Sequence, residues 1–328
     1  MKVMVTGGGG FVGGAIIELL LKKGHQVRSF SRGDYPSLRA QGVETVSGDL
    51  TDAAAVSRAA SKCEAVFHVA AKVDMWGKEN DFVRYNVLGT KNVIEACRAN
   101  NVGRLIFTST PSVVFAGRDL KGADESTPFP LSFKAAYPRT KAIAEKMVLA
   151  ANDALLSTVA IRPHLVWGPG DNHLIPGILE RGRIGALRRI GAGDSVVDFT
   201  HVDNVALAHV AAMEKLSAGS PLCGKAYFIS QEEPMRLWDF ADRVLAAHNL
   251  PPVNKRVPYW AAYLAAAISE LAHTVFPLRG EPRLTRFLVE EMSTSHWFNI
   301  SAAKRDFGYR PVVSMEQGFA RLRKGGPL

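Results

Sequence analysis

The chain has 328 residues, 47% of them hydrophobic and 22% charged, with no dominant residue type and no short repeat, which excludes disordered, fibrous and solenoid proteins. This length suits two domains, or one large α/β domain with an attached subdomain. Lys and Arg number 40 against 31 Asp and Glu, a net charge of +9 that favours anionic small ligands. The basic residues are spread along the chain without a helix-turn-helix, zinc-finger or RNA-binding signature, so no nucleic-acid partner is expected.

The N-terminus runs from Met1 directly into a β-rich segment, with no signal-peptide stretch. Short β-rich runs at Lys2–Thr6, Gln26–Ser31, Ala65–His68, Arg104–Thr108 and Thr158–Arg162 alternate with helical stretches near Phe11–Lys23, Asp81–Asn100 and Pro138–Ala151. That rhythm predicts an α/β fold, a Rossmann-type doubly wound parallel sheet. After Pro163 the chain breaks into Gly- and Pro-punctuated pieces, with helices near Leu174–Arg181, Val205–Leu216, Leu237–His248 and Tyr259–Phe276. Residues 1–163 therefore read as a cofactor-binding domain. Residues 164–328 read as a smaller, mostly helical substrate subdomain, with the stretch around 196–230 returning to the first domain. The Tyr259–Phe276 segment approaches the length of a membrane span but carries Glu270 and His273, which makes it an amphipathic or buried helix; if exposed, it would contact a membrane surface or a partner. Cys63, Cys97 and Cys223 match neither a disulfide framework nor a zinc spacing, so a cytoplasmic protein without a metal is expected.

Gly7, Gly10 and Gly13 stand at GxxGxxG spacing, after the first strand and at the start of the first helix, with Phe11 and Val12 between the last two. A tight turn, close approach of backbone to a pyrophosphate and close helix–strand packing each require a glycine there, and the helix N-terminus offers free amides to the anion. NAD-binding folds usually place an acid at the end of the second strand, where this chain has Ser31 and Arg32. A hydroxyl and a guanidinium suit a 2′-phosphate, so NADP(H) is expected in preference to NAD(H).

Tyr137 and Lys141 are spaced i, i+4 where Pro138 suits the first turn of a helix, so they share one face. A nearby ammonium should lower the tyrosine pKa from ~10 and let the phenol act as general acid or base. Upstream, Thr108, Ser109 and Thr110 supply hydroxyls that could orient a reacting oxygen.

With these elements placed, the motifs TGGGGFVGG, VSGDLTD, VFHVAA, YNVLGTKNV, FTSTPSVVF, YPRTK and IRPHLVWGPGD resemble the extended short-chain dehydrogenases of the 3β-hydroxysteroid dehydrogenase branch over nearly the whole chain. The resemblance implies that Thr110 is the catalytic hydroxyl, with Ser109 as the alternative. It also implies that Asp49 and Leu50 flank the adenine and that Ala70 and Ala71 line the nucleotide path. Asn86 would then lie near the active site, and Pro163 and His164 would border the nicotinamide.

Within the branch, SRGDYPSL, LRGEPRLTRFL and TSHW followed by RDFGYRP resemble bacterial 2-alkyl-3-oxoalkanoate reductases of olefin biosynthesis, while VDFTHVDNVA and VPYWAAY resemble sterol-4α-carboxylate 3-dehydrogenases. The sterol enzymes generally carry an acid after the second strand, so Ser31 and Arg32 favour the reductase. Either substrate is a hydrophobic anion, fitting a pocket roofed by the Tyr259–Phe276 helix and a basic stretch with Arg181, Arg183, Arg188 and Arg189. The resemblance further implies a homodimer and assembly with neighbouring olefin-pathway enzymes. Nucleotide-sugar epimerases or dehydratases share the glycine turn and the Tyr–Lys pair, but fit poorly with the missing acid and the long apolar helix. A cofactor-sensing protein would often lack the Tyr or Lys that this chain keeps.

Overall fold

In the computed structural model, which describes residues 1–276, 278 and 280–324, seven parallel strands form the central sheet. They are β1 (Lys2–Thr6), β2 (Gln26–Ser31), β3 (Glu44–Ser47), β4 (Ala65–His68), β5 (Arg104–Thr108), β6 (Ser157–Pro163) and β7 (Lys225–Ile229). Their spatial order is β7-β6-β5-β4-β1-β2-β3. The chain winds outward from β1 to β3, then crosses back and builds in the other direction from β4. That reversal opens a crevice between the carboxyl ends of β1 and β4, where open α/β sheets bind their ligands.

The period-2 alternation of each strand assigns its side chains to two helical layers. Val3, Val5, Phe67, Ile106, Val159 and Ile161 face one layer, with α1 (Phe11–Lys22), and Met4, Val66, Leu105, Phe107 and Ala160 face the other, with α2 (Ala53–Ala60), α3 (Gly89–Ala99) and α4 (Ala136–Ala150). After β6 come α5 (Leu174–Arg183) and α6 (Val202–Lys215); α6 covers the same face as α1. A third core around Trp167, Phe199, Phe240 and Phe319 holds α5 against α7 (Leu237–Ala247), with Phe199 and Phe240 stacked at 3.7 Å between centroids.

Two strands of the central sheet escaped the sequence reading, as did the short strands of the smaller sheets. β3 is a short edge strand, Glu-Thr-Val-Ser, with little apolar content to register, and β7 pairs with β6 only after the chain has looped through the C-terminal half. The helix expected at Asp81–Asn100 is composite: Glu79–Phe82, a π-helical turn at Val83–Leu88, then α3. Such turns concentrate at functional sites, and this one carries Asn86.

The Tyr259–Phe276 segment forms α8 (Tyr259–Val275), followed by α9 (Arg286–Ser293). It is amphipathic: Ala262, Ala266 and Glu270 are buried, while Trp260, Leu264, Ile268, Leu271 and Val275 stay exposed at helical spacing. No described helix is long and apolar enough to cross a membrane.

Candidate active site

The glycine turn is fixed by contacts that admit no side chain. Gly7 sits at φ +69°, and a Cβ there would come within 3.0 Å of the Ala70 backbone; at Gly13 a Cβ would lie 2.2 Å from the Gly7 carbonyl oxygen. A cleft of about 400 Å³ opens above this turn, within the range of small-molecule sites. Gly7, Gly10, Ser31, Arg32, Asp49, Leu50, Ala70 and Ala71 line it, so eight of the expected cofactor residues converge on one cavity. Phe11 and Val12 are not among its lining, and Val12 packs against the core. The Ser31 hydroxyl is buried without a hydrogen-bond partner, and the exposed Arg32 guanidinium lies 5.1 Å from the Tyr85 ring centroid. Tyr35 and Tyr85, aromatic walls of the same cleft, were not singled out from the sequence because no spacing ties them to the glycine turn.

At the carboxyl end of β5, the three hydroxyls part company. Thr108 donates to His209 Nε2 at 2.8 Å, because His209 Nδ1–H is already given to the Val205 carbonyl. Ser109 is buried, and its hydroxyl has no partner. Thr110 caps a short 3₁₀ turn by accepting from the Ser112 amide at 3.2 Å, and its hydroxyl is the one that interacts with the Tyr137 phenol.

Tyr137 and Lys141 do share one face of α4, but their electrostatics differ from the sequence expectation. Burial lifts the Tyr137 phenol to about 12, opposed by its hydrogen bond with Thr110, and a nearby carboxylate, Glu291, adds to the rise. Burial likewise pulls Lys141 down to about 7, with the Glu145 carboxylate acting against that fall. Lys141 Nζ donates to the Thr108 carbonyl at 2.6 Å and lies 4.0 Å from the Phe107 ring centroid. The expected lowering of the tyrosine by the lysine is absent here, because desolvation disfavours both charged forms.

Asn86 ties this site to the cofactor cleft. Its side-chain oxygen accepts from the Lys72 amide at 2.7 Å, and its Nδ2 donates to the Lys72 carbonyl and to Thr140 Oγ1, both at 3.0 Å. Asn86 therefore clamps the irregular segment following β4 to α4, one residue before Lys141. A second network fixes the floor. Thr90 donates to the Asn86 carbonyl, so it accepts from His68 Nε2–H; Thr6 accepts from the amides of Val69 and Ala70 and donates to His68 Nδ1. His68 is thus neutral, in agreement with burial pulling it down to about 3.

Other expected residues lie outside the lining of the cofactor cleft. Pro163 ends β6 in the sheet, and His164 is buried between His296, at 3.1 Å from Nε2 to Nδ1, and the Phe298 ring; neither lines the cleft. The arginine run is structural in part: Arg189 pairs with Asp242, and Arg188 donates to the carbonyls of Gly185 and Leu187. Two carboxylates that no motif pointed to enter the site, Glu291 near the Tyr137 phenol and Glu290 at Lys134 just before α4. Glu291 accepts from Ser112 Oγ at 3.1 Å and is raised to about 7 by burial; Glu290 pairs with Lys134. Both come from α9, far from Tyr137 in sequence.

A doubly wound sheet with a glycine-lined cleft at its reversal, together with a part-buried Tyr137 and a buried Lys141 on one helix face, defines a nicotinamide-dinucleotide oxidoreductase acting on CH–OH or C=O groups. The chain belongs to the 3-beta hydroxysteroid dehydrogenase/isomerase family, whose profile matches residues 4–258. It is 49% identical over 326 residues to a 2-alkyl-3-oxoalkanoate reductase of Stenotrophomonas maltophilia, covering 98% of each chain. It is 38% identical to the decarboxylating sterol-4-alpha-carboxylate 3-dehydrogenase of Mus musculus, covering 98% of this chain and 92% of that one. The fold is shared with a UDP-glucose 4-epimerase of Thermotoga maritima at a TM-score of 0.77 and 20% identity, over 99% of this chain and 98% of that one.

Proposed function

We propose that the protein reduces the 3-keto group of a long-chain 2-alkyl-3-oxoalkanoate to the 3-hydroxy acid with NADPH. The observation that carries this reading is the Tyr137 phenol meeting the Thr110 hydroxyl at the foot of α4, in a chain 49% identical to a reductase of that name. The residues fit the cofactor: the glycine turn leaves room for a pyrophosphate, and the unpartnered Ser31 hydroxyl with Arg32 suits a 2′-phosphate. When bound, the nicotinamide supplies the hydride. Thr110 orients the substrate oxygen, and Tyr137 protonates that oxygen as negative charge develops on it. Lys141, held by the Thr108 carbonyl, sets a positive charge near the forming alkoxide, and Asn86 keeps α4 in register with the cleft.

The test is NADPH oxidation followed with a racemic long-chain 2-alkyl-3-oxoalkanoate, beside NAD-dependent oxidation of a 4α-carboxysterol. Turnover of the fatty acid is expected; turnover of the sterol alone would overturn the substrate assignment. The cofactor preference has its own check. Ser31→Asp with Arg32→Leu puts a carboxylate where the phosphate would lie and removes its cation, so kcat/KM for NADPH should fall about tenfold to a hundredfold while that for NADH rises. An unchanged ratio of the two would remove the phosphate from this corner of the cleft.

A further inference from the structure

Two cavities of similar size, about 460 and 480 Å³, flank the segment leading into Tyr137, and they share Lys134 and Phe287 as a common wall. The first also takes in Ala135 and Ala136, just before Tyr137, and extends under α8 past Met75, Trp76, Ala267 and Leu271. The second takes in Pro138, just after Tyr137, and runs between Phe115 and the apolar loop carrying Phe129, Leu131 and Phe133. The two cavities thus diverge from the wall formed by Lys134 and Phe287 and meet the backbone on either side of Tyr137. Among the described residues, Lys134 is the cation common to both. Its half-exposed ammonium uses one hydrogen on buried Glu290, whose charge raises the lysine pKa. The remaining hydrogens are free to meet a second carboxylate. Arg286, the other cation of the first cavity, is committed to Glu270 and does not reach the second.

We propose that these cavities are the two arms of a forked substrate site and that Lys134 is its carboxylate anchor. The inference rests on the reading of the substrate as a 2-alkyl-3-oxo acid, whose shape it matches. The carboxyl carbon and the ketone carbon are both bonded to C2, and the two alkyl chains leave from C2 and C3. With the ketone oxygen on Tyr137 and Thr110, the carboxylate falls beside Lys134 and each chain enters one cavity. The pairing of Glu290 with Lys134 keeps the ammonium at the fork, so Glu290 is a positioning residue.

The test compares the acid with its methyl ester, which keeps both chains and loses the charge. Wild-type enzyme should prefer the acid by at least tenfold in kcat/KM, through KM. Lys134→Met should bring that ratio to about one, Lys134→Arg should keep most of it, and Lys134→Met with Glu290→Gln should behave as the single variant with no carboxylate left unpaired. An acid preference that survives Lys134→Met, or wild-type enzyme that turns over acid and ester alike, overturns the anchor. The arms are read separately with Ala267→Trp, which narrows the first cavity. Activity on substrates with two long chains should be lost and restored when one chain, always the same one, is cut to a methyl group. Equal loss on every chain combination, or no loss on any, overturns the fork. Wild-type enzyme inactive on every 2-alkyl-3-oxoalkanoate would instead defeat the parent reading.

Discussion

Replacing Tyr137 by phenylalanine should lower turnover by about 10²–10⁴ while leaving NADPH affinity unchanged, since the variant loses only the proton that the phenol gives to the developing alkoxide. Single-turnover hydride transfer beside a fluorescence titration of NADPH measures both, and ordinary turnover in the variant would remove Tyr137 from the reaction. The pH dependence follows from the same groups. With its pKa pushed up to about 12, the phenol is protonated throughout the neutral range, so the acid form needed for reduction is not limiting there. Lys141, pulled down to about 7, is an ammonium below that pH and loses its charge above it. In the reductive direction kcat/KM of the free enzyme should therefore fall as pH rises through 7, with Lys141 setting the limb. Oxidation of the hydroxy acid needs the phenolate together with the Lys141 ammonium, so its rate should climb with pH below 7 and level off above it, where the lysine loses its charge as fast as the phenolate gains. A reductive profile flat to pH 9 would show that the Lys141 charge is dispensable.

Much of this site is legible in the sequence because short-range geometry builds it. The glycine turn lies between β1 and α1 within a few residues, and the spacing of Tyr137 and Lys141 on a helix fixes their common face. The strand end at Ser31–Arg32 is local in the same sense. What could not be read there is long-range. Burial, not proximity, governs the pKa values of Tyr137 and Lys141, and burial is set by the packing of distant elements over them. Lys134 and Glu290, 156 residues apart, meet only because α9 folds back onto the start of α4. Glu291 reaches Ser112 by the same route. The hydroxyl triplet shows both limits at once: its position marked the active site, but which hydroxyl is available depends on His209, brought in by α6, taking that of Thr108. An apolar alternation also cannot tell an edge strand such as Glu44–Ser47 from a loop, since the physical basis of the pattern, a buried face, is largely missing there.

Among the described residues, the most buried charge pair connects stability to the same pH limb. Glu145, one turn beyond Lys141 on α4, is fully buried and holds Arg162 of β6 through two hydrogen bonds, at 2.9 Å from Nε and 2.5 Å from a terminal nitrogen. Glu145→Ala would leave the guanidinium buried without its partner and should cost about 3–5 kcal/mol, visible as a lower midpoint in urea unfolding. The same carboxylate supports the Lys141 ammonium, so its removal should also move the alkaline limb of the reductive kcat/KM to lower pH. The two effects separate in a double variant. Glu145→Leu with Arg162→Met replaces the pair by apolar side chains, and such replacements are often neutral or stabilising. Stability should then return while the limb stays shifted, because Lys141 has still lost the charge that holds its proton. If stability and the limb recover together, Glu145 acts on Lys141 only by keeping α4 packed against the sheet, and its charge has no part in the chemistry.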